Sequence, residues 1–204
     1  MSTEIKIKQY DITREKLLAS AFCEIHRKGY QSASIADILE STGLTKGALY
    51  HHFPTKHALG LAVIDEIIAP KLDTVVFRQL RDSAHPVATL LDIIAGVESF
   101  MGDEGIMLGC PLNNLMQEMS PLDEQFRHHL NGILETWQQA IRSALEHGQK
   151  NAVIKAEVDC QAAALFVVSA WEGCFSIAKN KQSPASFKMC VAQLQGYVQS
   201  LMKA

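Results

Sequence analysis

The chain has 204 residues, 48% of them hydrophobic and 20% charged, a globular composition that excludes a disordered polymer. Its five cysteines are widely spaced with no C-x-x-C, which excludes a disulfide framework or zinc knuckle and places the chain in a reducing cytoplasm. The net charge of −3 divides unevenly: residues 1–58 hold eight Lys/Arg against six Asp/Glu, a net +2, and the remainder carries −5.

The first sixteen residues alternate charged and apolar positions and lack the apolar core of a secretion signal. The longest apolar stretch, Ala162 to Ala178, carries Glu172 near its middle. A bilayer span needs about 20 mostly apolar residues, and a central carboxylate is costly there. A buried helix is expected instead, with no membrane partner. Few prolines and no alternating β-branched runs make the fold class all-α.

In chain order, the first helix is expected from Thr13, a suitable N-cap, with Glu15 in its first turn. Leu17, Ala21 and Ile25 form one row and Leu18 and Phe22 the next, until Gly29. A short helix follows from Ser34 to Thr42 and breaks at Gly43. A third runs from near Thr45 to Phe53 and stops before Pro54. Helix, short glycine-containing turn, helix is the helix-turn-helix arrangement. A linking helix then starts near Thr55 and carries Leu59, Val63, Ile67 and Ile68; Pro70 is expected to bend or end it, and Lys71 to Arg81 read as helix or loop. The domains are therefore 1–58, with a linking helix over 55–82, and 83–204, after the linker Ser83–Pro86.

The second part begins with a helix through Leu90, Ile94, Val97 and Met101 that ends at Gly102, followed by a glycine-rich loop or several short pieces over 102–111. A short helix is expected over Asn113 to Met119. The next runs through Leu122, Phe126, Leu130, Trp137, Ile141 and Leu145 to Gly148. The helix from Asp159 to about Lys179 is apolar on nearly every face, which predicts burial on all sides. The last, from about Pro184, has Phe187, Val191, Leu194, Val198 and Leu201 in a narrow coiled-coil-like seam. Together these two helices hold more apolar surface than one subunit covers, so a homodimer is expected.

The segment Thr45 to Phe53 carries the chemistry. Leu49 and Phe53 share an inward face; Lys46, Tyr50, Gly47 and His51 turn away from it. Glycine inside a helix costs about 1 kcal/mol relative to alanine, which suits a place where a phosphate or base edge approaches the backbone. A helix fits the major groove, and its first residues reach the bases. Lys46 and Lys56 match phosphates, Tyr50 and His51 match phosphates or bases, and Ser34 and Thr45 start helices whose free N–H groups favour phosphate. The segment SASIADILESTGLTKGALYHHFPTKHALG resembles the N-terminal signature of the TetR family of repressors, through Ile35-Ala36-Asp37-Ile38, Gly43-Leu44, Lys46-Gly47, Leu49-Tyr50, His52-Phe53 and Lys56. Leu39-Glu40 departs from the alanine common there.

The resemblance implies a DNA-binding regulator that is not an enzyme. It implies a homodimer whose last two long helices form a four-helix bundle, a small-molecule cavity in the C-terminal domain, and release from a palindromic operator when an inducer binds. It also implies that Thr45, Lys46, Gly47, Tyr50, His51 and Lys56 lie at or near DNA.

Candidate ligand-lining residues are Phe100, Met107, Cys110, Trp137, Phe166 and Trp171, with Asn114 among the polar anchors. The alternative for each is plain core. Gly109-Cys110-Pro111 precedes a helix start, which lowers a thiol's pKa and would suit an electrophile sensor; a buried structural cysteine is the other reading. His128 and His129 point about 100° apart and make no metal pair. Glu98, Glu118 and Glu172 are inward carboxylates without a partner motif, so no catalytic, metal or cofactor site is expected. A helical-dimer adaptor that kept the head without using it is the third hypothesis.

Overall fold

The computed structural model describes the backbone of residues 2–203 and the side chains of residues 11–203. The helices are α1 (Ser2–Lys28), α2 (Ile35–Glu40), α3 (Lys46–His52), α4 (Lys56–Val63), α5 (Ala69–Leu72), α6 (Arg78–Asp82), α7 (Pro86–Leu108), α8 (Pro111–Met119), α9 (Glu124–Lys150), α10 (Cys160–Lys181) and α11 (Pro184–Ser200). Two π-helical segments, Ile64–Ile68 and Asp73–Phe77, join α4, α5 and α6. The chain divides into two compact units, residues 1–70 with 114–130, and residues 71–113 with 131–204. Each is discontinuous in sequence, whereas the sequence reading placed one linear boundary.

In the first unit α1 starts at Ser2, so Thr13 is not its N-cap and Glu15 is not in its first turn. No glycine or proline stands between Ser2 and Lys28 to stop it. The expected stripe faces inward: Leu17, Leu18, Ala21 and Ile25 are buried and Phe22 is half-buried. Gly29, at φ +86°, ends the helix. Ser34 and Asp37 form a reciprocal capping box on α2. Thr42, buried in the turn, donates to the Leu39 carbonyl and accepts from the Leu44 N–H. Thr45 and Thr55 cap α3 and α4. The helical run continues past Pro70 to Asp82, so of the two readings left open for Lys71 to Arg81 the helical one holds. The Ala69 N–H bonds back five residues to Ile64, and this π-register opens the turn that the proline ring, which has no N–H, must enter.

In the second unit α7 breaks at Gly102, as expected (φ 65°, ψ 169°), and residues beyond it are helical again to Leu108, the short-piece reading of 102–111 rather than the loop. Gly148 does not end α9, which runs to Lys150. A Cβ at Gly148 would stand 2.6 Å from Ile154 and 2.8 Å from Val87, so glycine serves close packing there. Of the α11 seam, Phe187, Val191, Leu194 and Val198 are buried within the chain itself, while Leu201 lies just past the helix and is half-buried. The composition of α10 predicts burial on all sides, and within the single chain it is not so buried: Val167, Val168, Trp171 and Phe175 are buried, while Leu165, Phe166 and Ile177 are about half exposed. By length and apolar composition α10 could cross a membrane, and half of that apolar window is buried inside the fold.

Candidate nucleic-acid interface and a buried polar cluster

The turn between α2 and α3 and the cap at Thr45 set α3 on α1. Leu49 is fully buried and Phe53 nearly so, while Lys46, Gly47, Tyr50 and His51 are exposed, the division expected from spacing. A Cβ at Gly47 would meet only the Thr45 hydroxyl, at 3.8 Å, so internal packing does not demand glycine there. Arg14 of α1 reaches both carboxyl oxygens of Glu66 and lies over the Phe53 ring, 4.9 Å from its centre, which pins the end of α3. His52 is held below its usual range by burial first, then by the charges of His51 and Arg14, so it stays neutral near pH 7.

The remaining residues of this set already have partners. Ser34 and Thr45, though exposed, spend their side-chain oxygens on the Asp37 and Ala48 N–H groups. Lys56 donates to the Gln31 carbonyl at 3.1 Å and lies 4.7 Å from the centre of the Tyr30 ring. Lys28 joins α1 to α2 through Asp37, at 3.2 Å, and also contacts Glu24. Residues 114–130 complete this unit. Phe126 packs on Tyr30 with ring centres 4.6 Å apart, His57 meets Asp123 at 2.9 Å, and His129 meets Asp65 at 2.8 Å. Glu118 accepts the N–H groups of Tyr30 and Gln31. Sequence periodicity could not show these contacts of residues 114–130, because the partners stand 64 to 96 residues apart.

In the second unit the candidate ligand residues scatter. Phe100 is 59% exposed, and Phe166 is 50% exposed and stacks on Tyr197 with ring centres 4.6 Å apart. Met107 is half-buried; Asn114, also half-buried, belongs to the first unit. Cys110, Trp137 and Trp171 are buried, the two indoles 5.4 Å apart edge to face. Glu172 is buried as well. Among the described residues, neither of its oxygens nor either indole N–H has a hydrogen bond of ordinary geometry. The polar group set against Glu172 is the Cys110 thiol, a weak donor. Burial raises the Glu172 carboxyl to about 7. Asn113 donates to Ser176 at 2.9 Å, and Ser176 to the Glu172 carbonyl at 3.0 Å.

Burial first, and the Glu172 charge next, push the Cys110 thiol well up; the Asn113 and Leu112 N–H groups at the start of α8 pull it down by less. A reactive thiolate needs the reverse balance. A groove of about 590 Å³, bordered by Phe77, Leu80, Arg81, Gln139 and His147, holds none of the candidate ligand residues. No group of three or more His, Cys, Asp or Glu among the described residues is placed to hold a metal.

Residues 17–63 match the family model described as bacterial regulatory proteins, tetR family, and residues 86–194 that of the tetracyclin repressor-like C-terminal domain. The chain is 32% identical to the transcriptional regulator AcuR of Cereibacter sphaeroides, over 85% of this chain and 79% of that one. It is 28% identical to the repressor DhaR of a Mycobacterium species, over 72% of each. Among solved structures, a regulatory protein TetR from Rhodobacter sphaeroides superposes with a TM-score of 0.82 at 29% identity, covering 91% of this chain and 98% of that one. A TetR regulator from Chloroflexus aurantiacus gives 0.84 at 26% identity, over 96% and 98%.

Proposed function

The chain belongs to the TetR family of transcriptional regulators, DNA-binding proteins and not enzymes, and on that premise we propose a repressor that holds a palindromic operator through α3 and releases it when a small molecule enters the second unit. The observation that carries the DNA reading is the division of α3. Leu49 and Phe53 anchor it, and Lys46, Gly47, Tyr50 and His51 stand outward on a helix short enough to enter a major groove end first. Lys46 meets a phosphate, Tyr50 and His51 meet phosphate or base, and Gly47 lets the backbone come close. Ser34 and Thr45 serve chiefly by capping the two helices, and Lys56 by holding the turn beside them, with phosphate contact secondary. Residues 1–58 dock, the helix over 55–82 links, and residues 83–204 sense and dimerise, all in the cytoplasm.

The uncovered face of α10 and α11 supports the homodimer. Leu165, Phe166, Ile177 and Met189 stand exposed beside Gly173 and Gly196, at which a Cβ would meet nothing within 4 Å. Two copies of this pair make a four-helix bundle, and two-fold symmetry sets two copies of α3 about 34 Å apart, one turn of duplex. For the inducer, the Glu172 carboxyl, set only against the weak Cys110 donor, and the two indole N–H groups are the proposed polar anchors, with Cys110 as a lining residue. Such groups cost about 1–3 kcal/mol each when buried unpaired, and a ligand that bonds them removes that cost.

Selection from a random duplex library by the purified chain tests this reading. An enriched inverted repeat is expected, bound with steep salt dependence. Diffuse binding with no enriched sequence would overturn it and favour the adaptor.

A further inference from the structure

Glu118 lies on α8 in the first unit, and its two oxygens close on the turn that follows α1. Oε2 accepts the Tyr30 N–H at 2.8 Å, and Oε1 accepts the Gln31 N–H at 2.8 Å. Bonds from backbone N–H groups to a carboxylate are charge-assisted and stronger than neutral ones. Gly29 leaves room for this carboxylate: its φ is +86°, and a Cβ there would stand 2.9 Å from Oε2 and 3.2 Å from Oε1. Lys56 grips the same turn through the Gln31 carbonyl and the Tyr30 ring, and Phe126 backs that ring. The turn leads directly to Ser34, the N-cap of α2, and α2 leads through buried Thr42 to α3.

We infer that Glu118 is a positioning residue for operator binding, whose carboxylate clamps the α1–α2 turn and so fixes the pose of α2 and α3 against α8. The inference rests on the reading that α3 docks on DNA. It has a consequence opposite to that of charge. Removing a negative charge from a DNA-binding head should by itself tighten binding to a polyanion. Removing a clamp should weaken it.

The test uses the full chain and the duplex it selects from a random library. Glu118→Gln keeps the size and one acceptor but sets an NH₂ against the second N–H. It should bind that duplex about tenfold more weakly, the loss of one charge-assisted bond, at an unchanged salt slope. Hydrogen exchange at the Tyr30 and Gln31 amides should quicken, while helical content and the dimer stay as they were. A cycle with Gly29→Ala approaches the contact from the other side. Alanine at 29 should cost less affinity in a Glu118→Ala background, where the crowding oxygens are gone, than in the unaltered chain. Equal or tighter binding by Glu118→Gln, or strictly additive effects in the cycle, would overturn the clamp while leaving the DNA reading intact. If the unaltered chain selects no duplex, the reading of α3 fails, and this inference with it.

Discussion

Replacing Glu172 by glutamine gives the sharpest physical test of the buried cluster. Glutamine keeps the shape and cannot ionise. In the folded chain burial raises the Glu172 carboxyl from an ordinary 4.5 to about 7. Between those two values the folded protein keeps a proton that the unfolded chain has released, so the stability this group contributes is whole below about pH 4.5. It falls as pH rises, and the loss is complete above about pH 7. At about 1.4 kcal/mol per pH unit, the loss across the window is about 3 kcal/mol. The assay is urea unfolding of the unaltered chain and of Glu172→Gln at pH 5 and pH 8. Every other ionisable group is common to both proteins, so the difference between them isolates residue 172. The variant should gain on the unaltered chain by about 2–3 kcal/mol between those two pH values. A difference that stays flat would mean that Glu172 ionises at its ordinary value, hydrated or paired, and the cluster would lose its claim as an unpartnered anchor.

Other consequences can be checked separately. Lys46→Ala should weaken binding to all duplexes and lower the salt slope by about one, and an unchanged slope would remove Lys46 from the phosphate backbone. Gly196→Arg should yield a helical monomer by sedimentation equilibrium, since the site is open in the single chain; a persistent dimer would place the interface elsewhere. At Gly60 a Cβ would stand 2.6 Å from Tyr30 and 2.7 Å from Phe126, so Gly60→Ala should cost about 1–3 kcal/mol from overpacking, against about 1 kcal/mol of helix propensity gained. At Gly132 nothing lies within 4 Å, so Gly132→Ala should raise the melting temperature where Gly60→Ala lowers it. Shifts of the same sign would show that propensity, not packing, governs both positions.

The sequence by itself determined the existence of most helices and which residues of α3 face inward and outward. Periodicities of three and four fix which side of an isolated helix is apolar, so the α1 stripe and the inward pair Leu49 and Phe53 were readable. Caps act within three residues, so Ser34, Thr45 and Thr55 marked their helix starts correctly. Local rules failed where a neighbour distant in sequence decides the outcome. Pro70 reads as a bend or an end, and only the structure shows the π-register that carries the helix through it. Gly148 reads as a stop, yet it is the gap that admits Ile154 and Val87. The apolar excess of α10 and α11 was legible, but not which part stays uncovered: the α11 seam is core, and Leu165, Phe166, Ile177 and Met189 remain outside. Only tertiary structure brought Glu118 to the turn at Tyr30 and Gln31 and left Glu172 without an ordinary hydrogen-bond partner. A hydrogen bond is set by distance in space, and these partners lie far apart along the chain, where no periodicity connects them.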